Sequence, residues 1–310
     1  MFTTFLNFIK SILPSSRTGK DPLVCQMKNG GPCAYQPIPL GDLKLTHLMR
    51  RKFYQYRKNK ALIESPCYDK KLIVLVPYRH REKQLEKFPS MLKDFLKKQS
   101  IENEIWVIEQ ADDGKPFNKG QLVNIGALLT QERGNYFCLH DIDMLPEISD
   151  YGYINHPTLL ANSISQFDEA PNHETYFGGV ILFPKEDFFS INGFSNQYWH
   201  WGAEDDDLLI RCLLKGLTPV AYKEGRYGSL IHKKSVTQTP DGTYHDDKKT
   251  LQKLNERYLK NKKRYKKMRR GMLDPQKDGL NTLQYKILDQ KDLENYIKVT
   301  VALNSSPNTD

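Results

Sequence analysis

The chain has 310 residues, 39% hydrophobic and 11% aromatic, enough to bury a core in one large domain with a smaller appendage, which excludes a disordered polymer. No run approaches the roughly 20 apolar residues of a membrane-crossing helix. The net charge of +9 is concentrated: residues 246–270 hold twelve Lys or Arg against Asp246, Asp247 and Glu256, an excess equal to that of the whole chain.

Residues 1–13 place Phe2, Phe5, Leu6, Ile9, Ile12 and Leu13 at helical spacing, which fits a terminal helix docked on the core or an in-plane membrane helix. The cationic start and small-residue cleavage site of a signal peptide are not evident. A stretch punctuated by Pro14, Pro22, Gly30-Gly31-Pro32, Pro37 and Pro39 leads to a basic helical segment at about 42–60, so 1–64 reads as an amphipathic and basic extension. From there the pattern alternates. Residues 71–77 form a buried-strand run, 81–98 an amphipathic helix, 104–109 a second strand, 119–131 a helix and 136–140 a third strand. That alternation predicts an α/β fold with a mainly parallel sheet covered by helices. Cysteines at 25, 33, 67, 138 and 212 include no C-x-x-C pair, so neither a zinc knuckle nor a disulfide framework is expected, and a reducing compartment fits.

Ligands of such sheets sit beyond the carboxyl ends of the strands. Two polar signals fall there: Pro77-Tyr78-Arg79-His80-Arg81 after the first strand and Asp141-Ile142-Asp143 after the third. A cationic loop with an aromatic and a pair of acids together suit a nucleotide diphosphate and its metal, one carboxylate meeting the cation and the other holding ribose or a water.

Further on, Trp199-His200-Trp201-Gly202-Ala203 precedes four consecutive acids, Glu204 to Asp207. Adjacent acids repel, and beside a water-excluding aromatic wall at least one should hold its proton more tightly than a free carboxylate, as a general base or sugar-hydroxyl acceptor does. Capping of the helix that follows, closed by Gly216, is the competing account for one or two of them. In 246–270, Leu251, Leu254, Tyr258, Tyr265 and Met268 share one helical face, giving an amphipathic basic helix. It is read first as a solvated helix packed by its apolar stripe, and second as a binder of an anionic membrane or an acidic polymer. Nucleic acid is not expected, because no recognised binding motif accompanies the charge.

Taken together, Val76–Arg81, Phe117–Gly126, Asp141–Pro146, Tyr176–Val180, Ile191–Asp207 and Asp278–Leu283 make the chain similar to the β-1,4-galactosyltransferase family, glycosyltransferase family 7, over about 65–303. The resemblance implies a GT-A fold with a donor half at about 71–145, an acceptor half at about 146–240, a basic helical insertion at about 246–272 and a tail at 304–310. It implies an inverting, metal-dependent transfer of galactose from UDP-galactose to a sugar hydroxyl of a glycan or glycoconjugate acceptor in β-1,4 linkage. The alternatives are UDP-N-acetylgalactosamine or another UDP-hexose as donor, or a non-catalytic glycan- or nucleotide-binding homologue.

By that likeness Pro77, Tyr78, Arg79 and Arg81 hold uridine and diphosphate beside Phe117 and Lys119, with Asp141 and Ile142 placing the nucleotide. Asp143 and His232 bind the metal, manganese before magnesium, with Ser229 as a further candidate ligand. Trp201 flanks the donor and moves with its loop. Tyr176 matches a position where a bulky aromatic goes with galactose. Phe167, Gly202, Glu204, Asp205 and Asp206 address the acceptor, Asp205 being the expected base and Glu204 the other catalytic candidate. The chain departs from the family in four places. Lys119 replaces an Arg, Ser229 a metal-binding Met and Ala203 a Gly, and the basic stretch is longer. The family's Golgi membrane anchor is not recognised, so a cytoplasmic or membrane-peripheral location is expected, with the Golgi lumen as the alternative.

Overall fold

The computed structural model describes residues 26–27, 33–38, 62–63, 66–165, 176–229 and 248–304. The expected helices at 1–13 and 42–60, together with Phe167, His232 and most of the tail, lie outside the described residues.

In chain order the strands are β1 (Gln26–Met27), β2 (Tyr35–Pro37), β3 (Leu62–Ile63), β4 (Leu72–Tyr78), β5 (Asn103–Gln110), β6 (Tyr136–His140), β7 (Met144–Ile148), β8 (Thr158–Leu159), β9 (Ser163–Ile164), β10 (Val180–Pro184), β11 (Val220–Tyr222), β12 (Arg226–Ser229), β13 (Tyr285–Asp292) and β14 (Ile297–Leu303). The helices are α1 (Glu82–Lys98), α2 (Lys119–Leu129), α3 (Lys185–Ser190), α4 (Glu204–Lys215) and α5 (Lys248–Arg269). The three strands and two helices expected between 71 and 140 are all present. Helix α2 ends two residues early, before Thr130, whose backbone N–H and hydroxyl both donate to the Gly126 carbonyl, at 3.1 and 2.7 Å.

Nine strands form one sheet in the order β13-β14-β5-β4-β6-β10-β8-β11-β2. Its centre, β14-β5-β4-β6, is parallel, as the alternation of strand and helix predicts. Outside it β13 pairs antiparallel with β14, and β10 antiparallel with both β6 and β8. All seven side chains of β4 and all five of β6 are buried, as a strand covered on both faces requires. Alternation divides β4 between two cores: Ile73 and Leu75 pack with Leu122 and Ile125 of α2, while Leu72, Val74 and Val76 pack with Phe88, Leu92 and Leu96 of α1.

Helices α1 and α2 therefore cover opposite faces. The chain leaves β4 over one face to reach β5, then returns over the other to β6 on the far side of β4. The strand order reverses at β4 and β6, and the crevice at their carboxyl ends is where open α/β sheets take ligands. A smaller sheet, β7-β12-β9, lies just past β6 and sets Ser229 opposite Met144. Among the described residues no helix is long and apolar enough to cross a membrane, and Cys33, Cys67, Cys138 and Cys212 are free thiols.

Candidate active site

The crevice is built from four strand or helix ends. Asp141 follows β6, and its N–H donates to the Gly179 carbonyl at 2.9 Å, so the loop before β10 lies against the D-x-D turn. Helix α2 begins at Lys119 because Asn118 caps it, accepting from the Gln121 N–H at 2.9 Å. Helix α4 begins at Glu204. These ends converge on one cation: Lys119 Nζ is 3.0 Å from Asp141 Oδ1 and 3.1 Å from both carboxylate oxygens of Asp205. Gly178 makes the approach of Asp205 feasible, since a Cβ there would meet the Asp205 carboxylate.

Removal from water pushes the Asp205 carboxyl well above its ordinary range, opposed by Lys119 and reinforced by Glu204 and Asp141. Glu204 is raised for the same leading reason. Burial alone would discharge Lys119, but Asp141 and Asp205 outweigh it and hold the ammonium charged. The site can therefore bind an anion at Lys119 and accept a proton at Asp205.

The cationic loop after β4 forms the opposite wall. Arg79 donates to the Lys115 carbonyl at 2.9 Å and lies 5.6 Å from the Phe117 ring centroid. Arg81 Nη1 is 3.9 Å from Asp143 Oδ2, so one guanidinium already faces the second acid of the D-x-D turn. Beneath that turn His140 is fully buried, with Nδ1 3.0 Å from the Asp141 carbonyl and Nε2 2.9 Å from the Tyr151 hydroxyl. Burial lowers its pKa to about 4, so it is neutral.

Three comparisons with known proteins bear on this arrangement. A family model described as "N-terminal region of glycosyl transferase group 7" matches residues 40–155, and one described as "N-terminal domain of galactosyltransferase" matches 158–233. The chain belongs to glycosyltransferase family 7, the β-1,4-galactosyltransferase family. Human β-1,4-galactosyltransferase 4 is 34% identical over 238 residues, 74% of this chain and 63% of that protein. Mouse β-1,4-galactosyltransferase 1 is 31% identical over 242 residues, 76% of this chain and 55% of that protein. The chain thus spans less than two thirds of the length of these relatives. Among solved structures, the catalytic domain of Drosophila β-1,4-galactosyltransferase 7 with xylobiose matches at a TM-score of 0.61 and 26% identity, over 76% of this chain and 95% of that one. An Asp-to-Asn mutant of that Drosophila protein, in complex with manganese, UDP-Gal and xylobiose, matches at a TM-score of 0.59 and 25% identity, with the same coverage.

In this family member the structure brings Arg79, Arg81, Phe117, Lys119, Asp141, Asp143, Tyr176, Glu204 and Asp205 to the crevice. Pro77, Tyr78 and Ile142 are buried beneath it, Pro77 and Tyr78 as the last two residues of β4. Tyr176 packs by Gly178 and Gly179, whose added Cβ atoms would touch its ring and its hydroxyl. Of the expected metal ligands, Asp143 and Ser229 are drawn together by the β7–β12 ladder, which pairs Ser229 with Met144. Both offer oxygen, the donor chemistry of hard divalent cations.

The four acids diverge. Glu204 accepts from the Gly202 N–H at 3.1 Å, Asp206 lies 4.0 Å from Lys262 Nζ, and the fully buried Asp207 pairs with Arg211 Nε at 2.7 Å and accepts from the Tyr198 hydroxyl at 2.9 Å. Asp207 therefore holds the fold together rather than facing the crevice.

Sequence reasoning missed the other side of the Trp201 loop. Trp201 is 60% exposed and stacks on Tyr258 of α5, with centroids 5.4 Å apart and planes at 21°. Buried Asn261 donates to the Trp199 carbonyl at 3.0 Å and the Trp201 carbonyl at 3.3 Å. Leu254, Tyr265 and Met268 are buried as expected, so the basic helix is docked beside the acids. The interruption of its apolar stripe by Asn261 was the available signal.

Proposed function

We propose that the chain is a UDP-galactose-dependent galactosyltransferase that inverts the anomeric centre and forms a β-1,4 bond to a sugar hydroxyl, with Asp205 as general base. The observation that carries this reading is the Asp141–Lys119–Asp205 cluster at the strand-order reversal, in a chain whose relatives are named galactosyltransferases. The Drosophila neighbour's complex with manganese, UDP-Gal and xylobiose supports a nucleotide sugar and a glycan acceptor here.

Arg79, Arg81 and Lys119 supply positive charge for the diphosphate. The acceptor hydroxyl gives its proton to the Asp205 carboxylate as its oxygen bonds the anomeric carbon. On the opposite face the bond from that carbon to the phosphate oxygen breaks, and UDP leaves with the electron pair. The raised proton affinity of Asp205 suits that acceptance. A divalent cation fits the oxygen donors Asp143 and Ser229, with His232 as the expected nitrogen ligand, and when bound it supplies charge that steadies the leaving diphosphate. Galactose is preferred over N-acetylgalactosamine because the Tyr176 phenol fills space that a 2-acetamido group needs.

Turnover of UDP-galactose with manganese and a panel of sugar acceptors tests the activity, and absence of transfer to any of them rejects it. Asp205→Asn is expected to lower kcat by about 10²–10⁴-fold while UDP–manganese binding is kept, because the amide is isosteric but accepts no proton. Turnover close to wild type in that variant would remove Asp205 as the base.

A further inference from the structure

Helix α5 turns one face inward and leaves the other in solvent. The outer face carries Lys249, Lys253, Glu256, Lys260, Lys263, Lys267 and Arg270, all exposed. Their spacing alternates between four and three residues, so they form one straight stripe. It runs about 30 Å at 1.5 Å per residue and holds six cations against one acid. The helix's described ion pairs with acids use Lys262 and Arg264 instead, to Asp206 and Asp278. Six cations with a single acid, Glu256, among them repel one another on balance, and an anionic chain laid along them would relieve that repulsion.

The occupant is chosen by the sign of the stripe and by the position of its helix. The inner face of α5 stacks Tyr258 on Trp201 and sets Lys262 beside Asp206, so a long glycan whose end reaches the acids passes this helix and meets the stripe by crossing over to its outer face. An in-plane membrane helix needs a free apolar face, but Leu254, Tyr265 and Met268 are buried in the body, and Leu259 is the exposed apolar side chain on the outer side.

We propose that the outer face of α5 is a rail for an acidic acceptor, a polysaccharide or glycoconjugate carrying carboxylate or sulfate groups along the chain behind its terminal sugar. This rests on the galactosyl transfer proposed above and names its acceptor class. The rail holds the polyanion by charge alone, so its contribution fades as salt screens it.

The test compares KM for two oligosaccharides with the same terminal sugar, one neutral and one bearing uronate groups further along, at low and at physiological salt. Wild type is expected to favour the acidic acceptor by about tenfold at low salt, and less at high salt. The triple variant Lys260→Ala, Lys263→Ala, Lys267→Ala should lose that preference while kcat and the neutral KM stay unchanged. Equal KM values in wild type, or a variant that shifts both acceptors alike, overturn the rail. If neither acceptor is galactosylated, the transfer reading has failed, and the rail is judged by salt-dependent retention on immobilised heparin. Retention that the triple variant loses supports it. Co-sedimentation with phosphatidylserine–phosphatidylcholine vesicles without heparin retention assigns the face to a lipid surface instead, and binding to neither leaves a solvated helix.

Discussion

The ammonium of Lys119, shared between Asp141 and Asp205, governs how readily Asp205 takes a proton. Burial raises the Asp205 carboxyl and Lys119 lowers it. The proposed base works only when deprotonated, so activity should be lost as pH falls through its raised pKa, above the usual carboxylate range. Replacing Lys119 with Met removes the opposing charge. The acid limb of the kcat–pH profile should then move to higher pH, and Lys119→Arg should return it. An unmoved limb in the Met variant would separate Lys119 from the base. Lys119 entered only through the family resemblance, whereas the D-x-D pair and the acid cluster were each legible in the sequence as chemistry at a strand or helix end. Their meeting was not, because Lys119 and Asp205 are 86 residues apart and the reversal of strand order joins them. His140 was illegible for another reason: in an apolar strand it reads as any core histidine, and only its two hydrogen bonds mark it as the support under Asp141.

Helix α4 shows how an element divides a run of like residues. Each helical step turns about 100°, so four adjacent acids point to four surroundings, and the capping expected of one or two of them is not what holds them: the N-cap position is Ala203, which makes no side-chain bond. The expected C-terminus is present, with Gly216 in the left-handed region at φ 88°. The start is strained: Ala203 sits at φ 72° with no side-chain cap, in a position where the family carries Gly. A Cβ in that conformation costs on the order of 1 kcal/mol. Ala203→Gly should therefore stabilise the protein by roughly that amount in urea unfolding, since relief of strain exceeds the added freedom of the unfolded chain. A destabilised variant would mean that the methyl's packing outweighs the strain. The apolar stripe of α5 was legible from spacing alone, whereas its partner, the Trp201 loop, was not, because stacking between Tyr258 and Trp201 leaves no periodic trace.

Across the whole molecule, sequence reading found the parallel core and missed its flanks. Strands β4, β5 and β6 announce themselves as apolar runs between helices. β13 does not, since most of its side chains are exposed and its composition resembles a loop. Yet β14, which β13 covers, contributes the buried Val299, Val301 and Leu303 and lies directly against β5. A chain ended at Gln284 should lose most of its soluble yield, measured as the supernatant fraction after lysis, because β5 becomes an open edge backed by a depleted core. A soluble, two-state-unfolding truncation would show that the flank is dispensable. The same pairing sets a timetable for biosynthesis. Thr300 donates to Glu109 across 191 residues of chain, so at about 5–20 residues per second the newly made β5 waits on the order of 10 to 40 seconds for its neighbour. During that interval a strand of the central sheet faces solvent or a chaperone with its hydrogen-bonding edge unanswered, and the crevice at the ends of β4 and β6, although its strands are already made, cannot yet rest on a finished sheet.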